Sequence, residues 1–284
     1  MTFWVVQLLN GLAFSSLLFL LSVGFTLIFG LMRILKLTHG AFFALGGYVG
    51  LTVLQVTGNF YLAILAGGAA MTIIGLLQHK ILLHRFHGIP LNQVLLTLGL
   101  WLIYDDIILV IWGGIPQRVP PPPLLEGAMS VFGTAFPKYR FALILLGVVV
   151  AIVVWLIIEK TKLGAVIRAG ADNEEIARAM GINVNKVFIF AFGFGSFLAG
   201  IAGVLGAPLL GLEPATSSLI LPLALVVVIV GGLGSLKGAM VGSLFVGLVD
   251  NFGRVLIPDF AYFTLFAPMA LILIFRPQGM FGRK

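Results

Sequence analysis

Two adjacent carboxylates, Asp105 and Asp106, interrupt an otherwise apolar run, Trp101-Leu102-Ile103-Tyr104-Asp105-Asp106-Ile107-Ile108. A carboxylate at the centre of a membrane span costs about 2.5–3.5 kcal/mol, so such residues are read first as functional. Neighbouring residues on a helix point about 100° apart, so one carboxylate can face a solute path while the other turns toward the outer interface. Pairing with a nearby arginine is the competing reading. Asp250 and Arg254 have the i,i+4 spacing of such a pair. Two further stretches, Gly30 to Gly40 and Val230 to Gly238, are short, basic, polar and bounded by glycine. Irregular backbone at membrane depth persists only where protein or a water-filled cavity covers it. Broken helices of this kind mark transport pathways. Gly30, Thr38, His39, Gly40, Asp105, Asp106, Gly232 and Gly234 are therefore candidate pathway residues. A plain turn with snorkelling lysines is the alternative, favoured for the second stretch. His79, His84 and His87 lie between Gln78 and Pro90 without the spacing of a closed metal site, and cysteine is absent, so no metal is expected.

These residues must be positioned by elements that belong in a membrane. Of the 284 residues, 60% are hydrophobic and 10% charged, whereas soluble domains carry about 25% charged residues. Soluble enzymes, disordered tails and nucleic-acid modules are excluded. At about 20 residues per span, the chain is an all-α polytopic transmembrane helical bundle of about eight to ten spans. It has a broken helix and forms a single transmembrane domain over residues 1–284. Nine apolar runs lie near 4–31, 40–57, 60–78, 92–113, 140–158, 187–208, 215–234, 238–257 and 260–275. The first is long enough to hide a second short helix. No basic residue precedes Arg33, so the N-terminus is not read as a cleaved signal peptide.

The connections alternate in charge. Arg33, Lys36, Lys80, Arg85, Lys160, Lys162, Arg168, Arg178, Lys186, Lys237, Arg276, Arg283 and Lys284 all fall on one side of a nine-span chain. Basic loops are retained in the cytoplasm, which puts the N-terminus outside and the C-terminus inside. The net charge of +7 thus marks a membrane face rather than a nucleic-acid partner. Pro120 to Pro123, in an outer loop, read as a stiff polyproline ledge, with a docking surface for an external partner as the alternative. Rows of glycine, Gly46/Gly50, Gly200/Gly203/Gly206 and Gly234/Gly238/Gly242, read as seams where helices approach closely.

The longest basic connection, residues 159–186, carries a helix signal. Asp172 and Asn173 suit an N-cap, and Glu174 and Glu175 suit the positive end of the helix dipole. Ala171 to Met180 is amphipathic, with Ile176 and Met180 on one face and Gly181 as the terminating residue. A short helix with an apolar face on a membrane surface needs a partner.

The string Arg168-Ala169-Gly170-Ala171-Asp172-Asn173-Glu174-Glu175-Ile176-Ala177-Arg178-Ala179-Met180-Gly181-Ile182-Asn183 resembles the cytoplasmic loop of ATP-binding-cassette importer permeases of the branched-chain amino acid group. That group also includes urea and short-amide permeases. Gly24 to Gly30, His39-Gly40-Ala41-Phe42, Thr97 to Leu100 and Gly231 to Ser235 carry the likeness along the chain in the same order. The resemblance implies a coupling helix seated in a cytoplasmic ATPase through Asp172, Glu175, Ile176, Ala177, Met180 and Gly181, with Arg178 meeting an ionic partner. It also implies a second permease subunit, a periplasmic binding protein and a place in the bacterial inner membrane, and it adds Phe42 to the pathway residues. Two departures stand out: Lys36-Leu37-Thr38 before His39-Gly40, and the Asp105-Asp106 pair. No Gly-x-x-x-x-Gly-Lys-Ser/Thr string occurs, so this chain is not expected to hydrolyse ATP or bind a cofactor, and Mg-ATP belongs to the ATPase. An ion-coupled secondary transporter using Asp105 and Asp106 is the alternative class. An intramembrane enzyme lacks any catalytic motif.

Overall fold

Each of the nine apolar runs forms one helix, because a chain in lipid satisfies its backbone only by internal hydrogen bonds. The computed structural model describes the chain apart from residues 1, 33–34, 87–88, 132 and 283–284, and the side chains of residues 261, 262 and 265. The basic positions Arg33, Arg283 and Lys284, and His87, lie outside the described residues. The helices are α1 (Thr2–Met32), α2 (Thr38–Thr57), α3 (Phe60–Ile81), α4 (Pro90–Trp112), α5 (Lys138–Lys160), α6 (Lys162–Asp172), α7 (Glu174–Ala179), α8 (Val184–Leu210), α9 (Thr216–Gly231), α10 (Leu236–Leu256) and α11 (Ala261–Phe275). Seven of them are long and apolar enough to cross a membrane, while α9 and residues 266–275 of α11 are shorter apolar helices. The first run is a single helix of 31 residues, with no second helix hidden in it.

Side-chain caps set the boundaries. Asn59 Oδ1 accepts from the Tyr61 and Leu62 N–H groups at 3.0 and 3.2 Å and starts α3. Thr161, Asn183 and Ser235 cap α6, α8 and α10 in the same way, each satisfying an N–H that the helix itself leaves free.

α1 and α8 form the centre, buried along most of their length. The glycine rows work as seams. A Cβ on Gly24 would sit 2.7 Å from the Gly195 carbonyl oxygen, and one on Gly46 would sit 2.5 Å from the Gly200 Cα. Backbone-to-backbone contact replaces the side-chain layer there, which is how helices attract in lipid without a hydrophobic driving force. By contrast, α4 and α5 are peripheral and expose Leu102, Val110, Ile111, Val148 and Ile152. Lys80, Arg85, Lys160, Lys162, Lys186, Lys237 and Arg276 lie at or just beyond the ends of α3, α5, α8, α10 and α11 that alternation of the helices puts on one side, where Arg168 and Lys237 line one cavity; this is called here the basic end.

The connection between α4 and α5 holds elements that the polyproline reading did not anticipate. Pro122 is extended (φ −61°, ψ 147°), but Pro123–Leu125 turns into a short 3-10 helix. An antiparallel hairpin follows, β1 (Ala128–Val131) with β2 (Thr134–Pro137). Gln117 exchanges backbone hydrogen bonds with Leu212 at 2.7 and 2.9 Å, which pins this connection to the α8–α9 link.

Candidate functional site

Two helices begin deep inside the bundle rather than at its surface. His39, in the first turn of α2, donates its Nε2–H to the Leu21 carbonyl at 2.9 Å. Leu21 lies about 16 Å up α1 from Met32 at 1.5 Å per residue. The first turn of α2 is therefore buried at depth. Ser217, in the first turn of α9, meets Trp101 and Asp105 of α4, which lie about 16 and 22 Å along α4 from Pro90. The two N-terminal turns touch at Gly40. A Cβ there would come within 2.7 Å of both the Ser217 carbonyl oxygen and the Leu221 Cβ. Only a glycine lets α2 and α9 meet at this point.

Polar side chains hold the junction together. The Ser217 hydroxyl donates to Asp105 Oδ2 at 2.6 Å and accepts from the Trp101 indole N–H at 2.9 Å. The other carboxylate oxygen of Asp105, Oδ1, is buried and has no hydrogen-bond partner among the described residues. Thr97 of α4 accepts from the Leu37 N–H at 3.4 Å and lies 3.3 Å from the Leu35 carbonyl, stapling the break to α4. Thr38 and Gln78 hydrogen-bond through Gln78 Nε2 at 3.1 Å. His39 keeps its Nδ1 buried, with no hydrogen-bond partner among the described residues. Its Nε2 must carry the proton, because a carbonyl only accepts.

Lys36 is the basic member of this group. Its side chain is fully buried. The ammonium donates to Ser196 Oγ at 2.8 Å and lies 3.9 and 4.1 Å from the ring centroids of Phe42 and Phe192. Phe42 continues to Tyr104, with ring centroids 5.6 Å apart. Among the described residues no carboxylate pairs with Lys36. The desolvated amine is thus held by ring faces and one hydroxyl, and the positive ends of the α2 and α9 dipoles point into the same region.

The remaining candidates are dispersed. Asp106 faces outward on α4 beside the exposed Leu102, Ile103 and Val110. Gly30 and Gly234 pack backbone to backbone, a Cβ on Gly30 lying 3.0 Å from the Gly234 Cα. Both line a cavity of about 710 Å³ at the basic end, with Thr26, Arg168, Asp172 and Lys237. Gly232 sits apart from that cavity, in the turn against which the C-terminal segment packs; Met280 and Phe281 donate N–H groups to the Val230 and Gly231 carbonyls at 2.8 and 2.9 Å.

The long basic connection forms two helices rather than one. α6 ends at Asp172 and α7 begins at Glu174, so Asp172 closes one helix instead of capping the next. Asn173 is the cap, its Oδ1 accepting from the Ile176 N–H at 3.0 Å. Gly181 has the expected left-handed conformation, φ +82°. Ala177 is buried, whereas Ile176 and Met180 project outward, 59% and 76% exposed. Arg178 finds its ionic partner within this chain. It meets Glu174 at 2.8 Å and also donates to Asn185 Oδ1 at 3.0 Å. The α6–α7 elbow faces Leu31 and Met32, the last turn of α1 before the break.

Lys36 carried a sequence signal as a basic loop residue and as part of the Lys36-Leu37-Thr38 departure, and Thr97 as part of a segment of resemblance, but neither signal said that the two meet; Ser196, Ser217 and Gln78 were only isolated polar residues in apolar runs.

The family described as branched-chain amino acid transport system, permease component, matches residues 7–275. The high-affinity branched-chain amino acid transport system permease protein BraD of Pseudomonas aeruginosa is 26% identical over 298 residues, covering 99% of this chain and 96% of that protein. The probable branched-chain amino acid transport permease protein LivH of Methanocaldococcus jannaschii is 30% identical over 252 residues, 85% of this chain and 78% of its own length. The ribose import permease protein RbsC of Escherichia coli is also similar, 26% identical over 296 residues, 96% of this chain and 85% of that protein. No solved structure matches the chain.

Proposed function

This chain belongs to the branched-chain amino acid transport permease family and is a membrane-spanning permease subunit of an ATP-binding-cassette importer, and from that premise we propose that it passes branched-chain amino acids through the junction of α2, α4 and α9. One observation carries the choice of solute: the junction holds one basic side chain, Lys36, and one acidic side chain, Asp105, with an oxygen that has no hydrogen-bond partner among the described residues. An amino acid is a zwitterion that complements such a pair, whereas urea, amides and ribose are neutral. The apolar and aromatic walls, Phe42, Phe192 and Tyr104, suit a branched aliphatic side chain.

The basic end faces the cytoplasm of a bacterial inner membrane, with the N-terminus outside and the C-terminus inside. The whole chain acts as one transmembrane domain. α7 seats its Ile176–Met180 face in a separate ATPase, which binds Mg-ATP and supplies the energy. Closure of the ATPases pushes the α6–α7 elbow against the end of α1 and tilts α8, which follows α7 directly. α8 carries Phe192 and Ser196, so its tilt loosens the hold on Lys36 and frees the α1–α2 break. A periplasmic binding protein delivers the solute. The outer face of α4, with Asp106, forms the seam with a second permease chain, since a carboxylate is costly against lipid.

The test is uptake into proteoliposomes holding the complete assembly, with radiolabelled leucine, urea and ribose offered in parallel. ATP-dependent leucine uptake with neither neutral solute transported is expected. Transport of urea or ribose instead, or uphill leucine uptake by this chain alone, overturns the reading.

A further inference from the structure

Away from the junction, α1, α5 and α10 leave a groove of about 360 Å³ on the membrane-facing side of the bundle. Phe19 and Ser16 of α1 form its floor, Gly147 and Trp155 lie along α5, and Met240 and Lys237 lie along α10. The serines that line it direct their hydroxyl protons to backbone carbonyls, with Ser15 also reaching the Leu244 carbonyl of α10 at 3.4 Å. Ser15 donates to the Gly11 carbonyl at 2.7 Å, Ser16 to Leu12 at 3.0 Å and Ser243 to Met240 at 2.9 Å. The surface they offer is therefore apolar.

Charge enters only at the basic end. Lys237 is exposed at the mouth, and Lys160 rests over Trp155 with its ammonium 5.6 Å from the ring centroid. Among the described residues no carboxylate lines the groove; the nearby Glu159 is 3.7 Å from Arg168. Neither lysine has an ion-pair partner among the described residues. Leu236 to Leu244 spans about 12 Å along α10, close to the roughly 15 Å depth of one hydrocarbon leaflet. The flanking Val148, Ile152 and Met240 are exposed, as expected of a surface bathed by acyl chains.

We propose that this groove holds one acyl chain of an anionic phospholipid of the cytoplasmic leaflet, with the lipid phosphate on Lys237 and Lys160. Anionic lipids concentrate in that leaflet and gain from each nearby lysine. Trp155 marks the headgroup level, where aromatic rings with one polar edge settle. The inference does not depend on which solute is carried.

The probe is spin-labelled phosphatidylglycerol against spin-labelled phosphatidylcholine, with the full-length chain, alone and in its assembly, in vesicles of both lipids. A motionally restricted signal favouring phosphatidylglycerol is expected. Lys237→Gln should reduce that preference about fivefold, and Lys237→Gln with Lys160→Gln should abolish it. Ala151→Phe, which fills the groove beside Trp155, should remove the restricted signal for both lipids. A preference unchanged in the double lysine variant overturns the proposal. So does a restricted signal that vanishes when the assembly forms, because a protein partner then covers the groove. Should Ala151→Phe fail to fold, the lysine variants decide.

Discussion

Replacing Ile176 and Met180 together by serine removes the two apolar side chains that α7 presents to its surroundings. Burying such a side chain fully is worth about 1.5–3 kcal/mol. Ile176 is 59% and Met180 76% exposed in the isolated chain, so docking can bury only that remainder, about 2–4 kcal/mol for the pair. Each 1.4 kcal/mol is tenfold, so the ATPase should bind about 30- to 700-fold more weakly. The folded chain should barely notice, since exposed substitutions stay within about 0.5 kcal/mol. Titrating purified ATPase onto the permease in nanodiscs, alongside a thermal melt of the permease alone, separates the two effects. Arg178→Ala is the control: its pairing with Glu174 is a surface i,i+4 contact worth about 0–1 kcal/mol. An affinity within threefold of wild type in the double variant would refute the assignment of α7 as the docking element.

Lys36→Met should leave the melting temperature unchanged or raised, because a buried ammonium facing only neutral groups loses desolvation energy that two rings and a hydroxyl scarcely recover; leucine uptake should fall at least tenfold in the same preparation. A large loss of stability would show instead that the ammonium anchors the fold. Ser217→Ala strands Asp105 Oδ2 and the Trp101 indole N–H, a cost of about 1–3 kcal/mol. Adding Asp105→Asn should recover part of it, and a double-mutant cycle on chemical denaturation reads the coupling. Gly24→Val drives a side chain into the Gly195 backbone and should cost about 1–3 kcal/mol by overpacking, seen as a lower melting temperature without selective loss of ATPase binding.

The apolar runs near residues 4–31 to 260–275, the basic residues between them and the glycine rows were enough to read the helices and their seams. Lipid leaves the backbone one solution, and span length and composition report it directly. The cap at Asn173 and the stop at Gly181 were legible for the same reason, since both satisfy local backbone groups. What spacing does not encode is axial offset. Nothing in Thr216-Ser217-Ser218 says that α9 starts beside Trp101 and Asp105 instead of at the surface, and nothing in Lys36 separates a snorkelling lysine from a buried one. Those outcomes rest on contacts between residues far apart in the chain: Lys36 with Ser196, Asp105 with Ser217, Gly40 with Leu221. The split of the basic connection at Asn173 and the hairpin of β1 and β2 were likewise settled by packing, because six- and four-residue elements carry too little periodicity to announce themselves. Residue types decided which groups lie in the membrane, and only the close approach of glycine-lined backbones decided at what depth they meet.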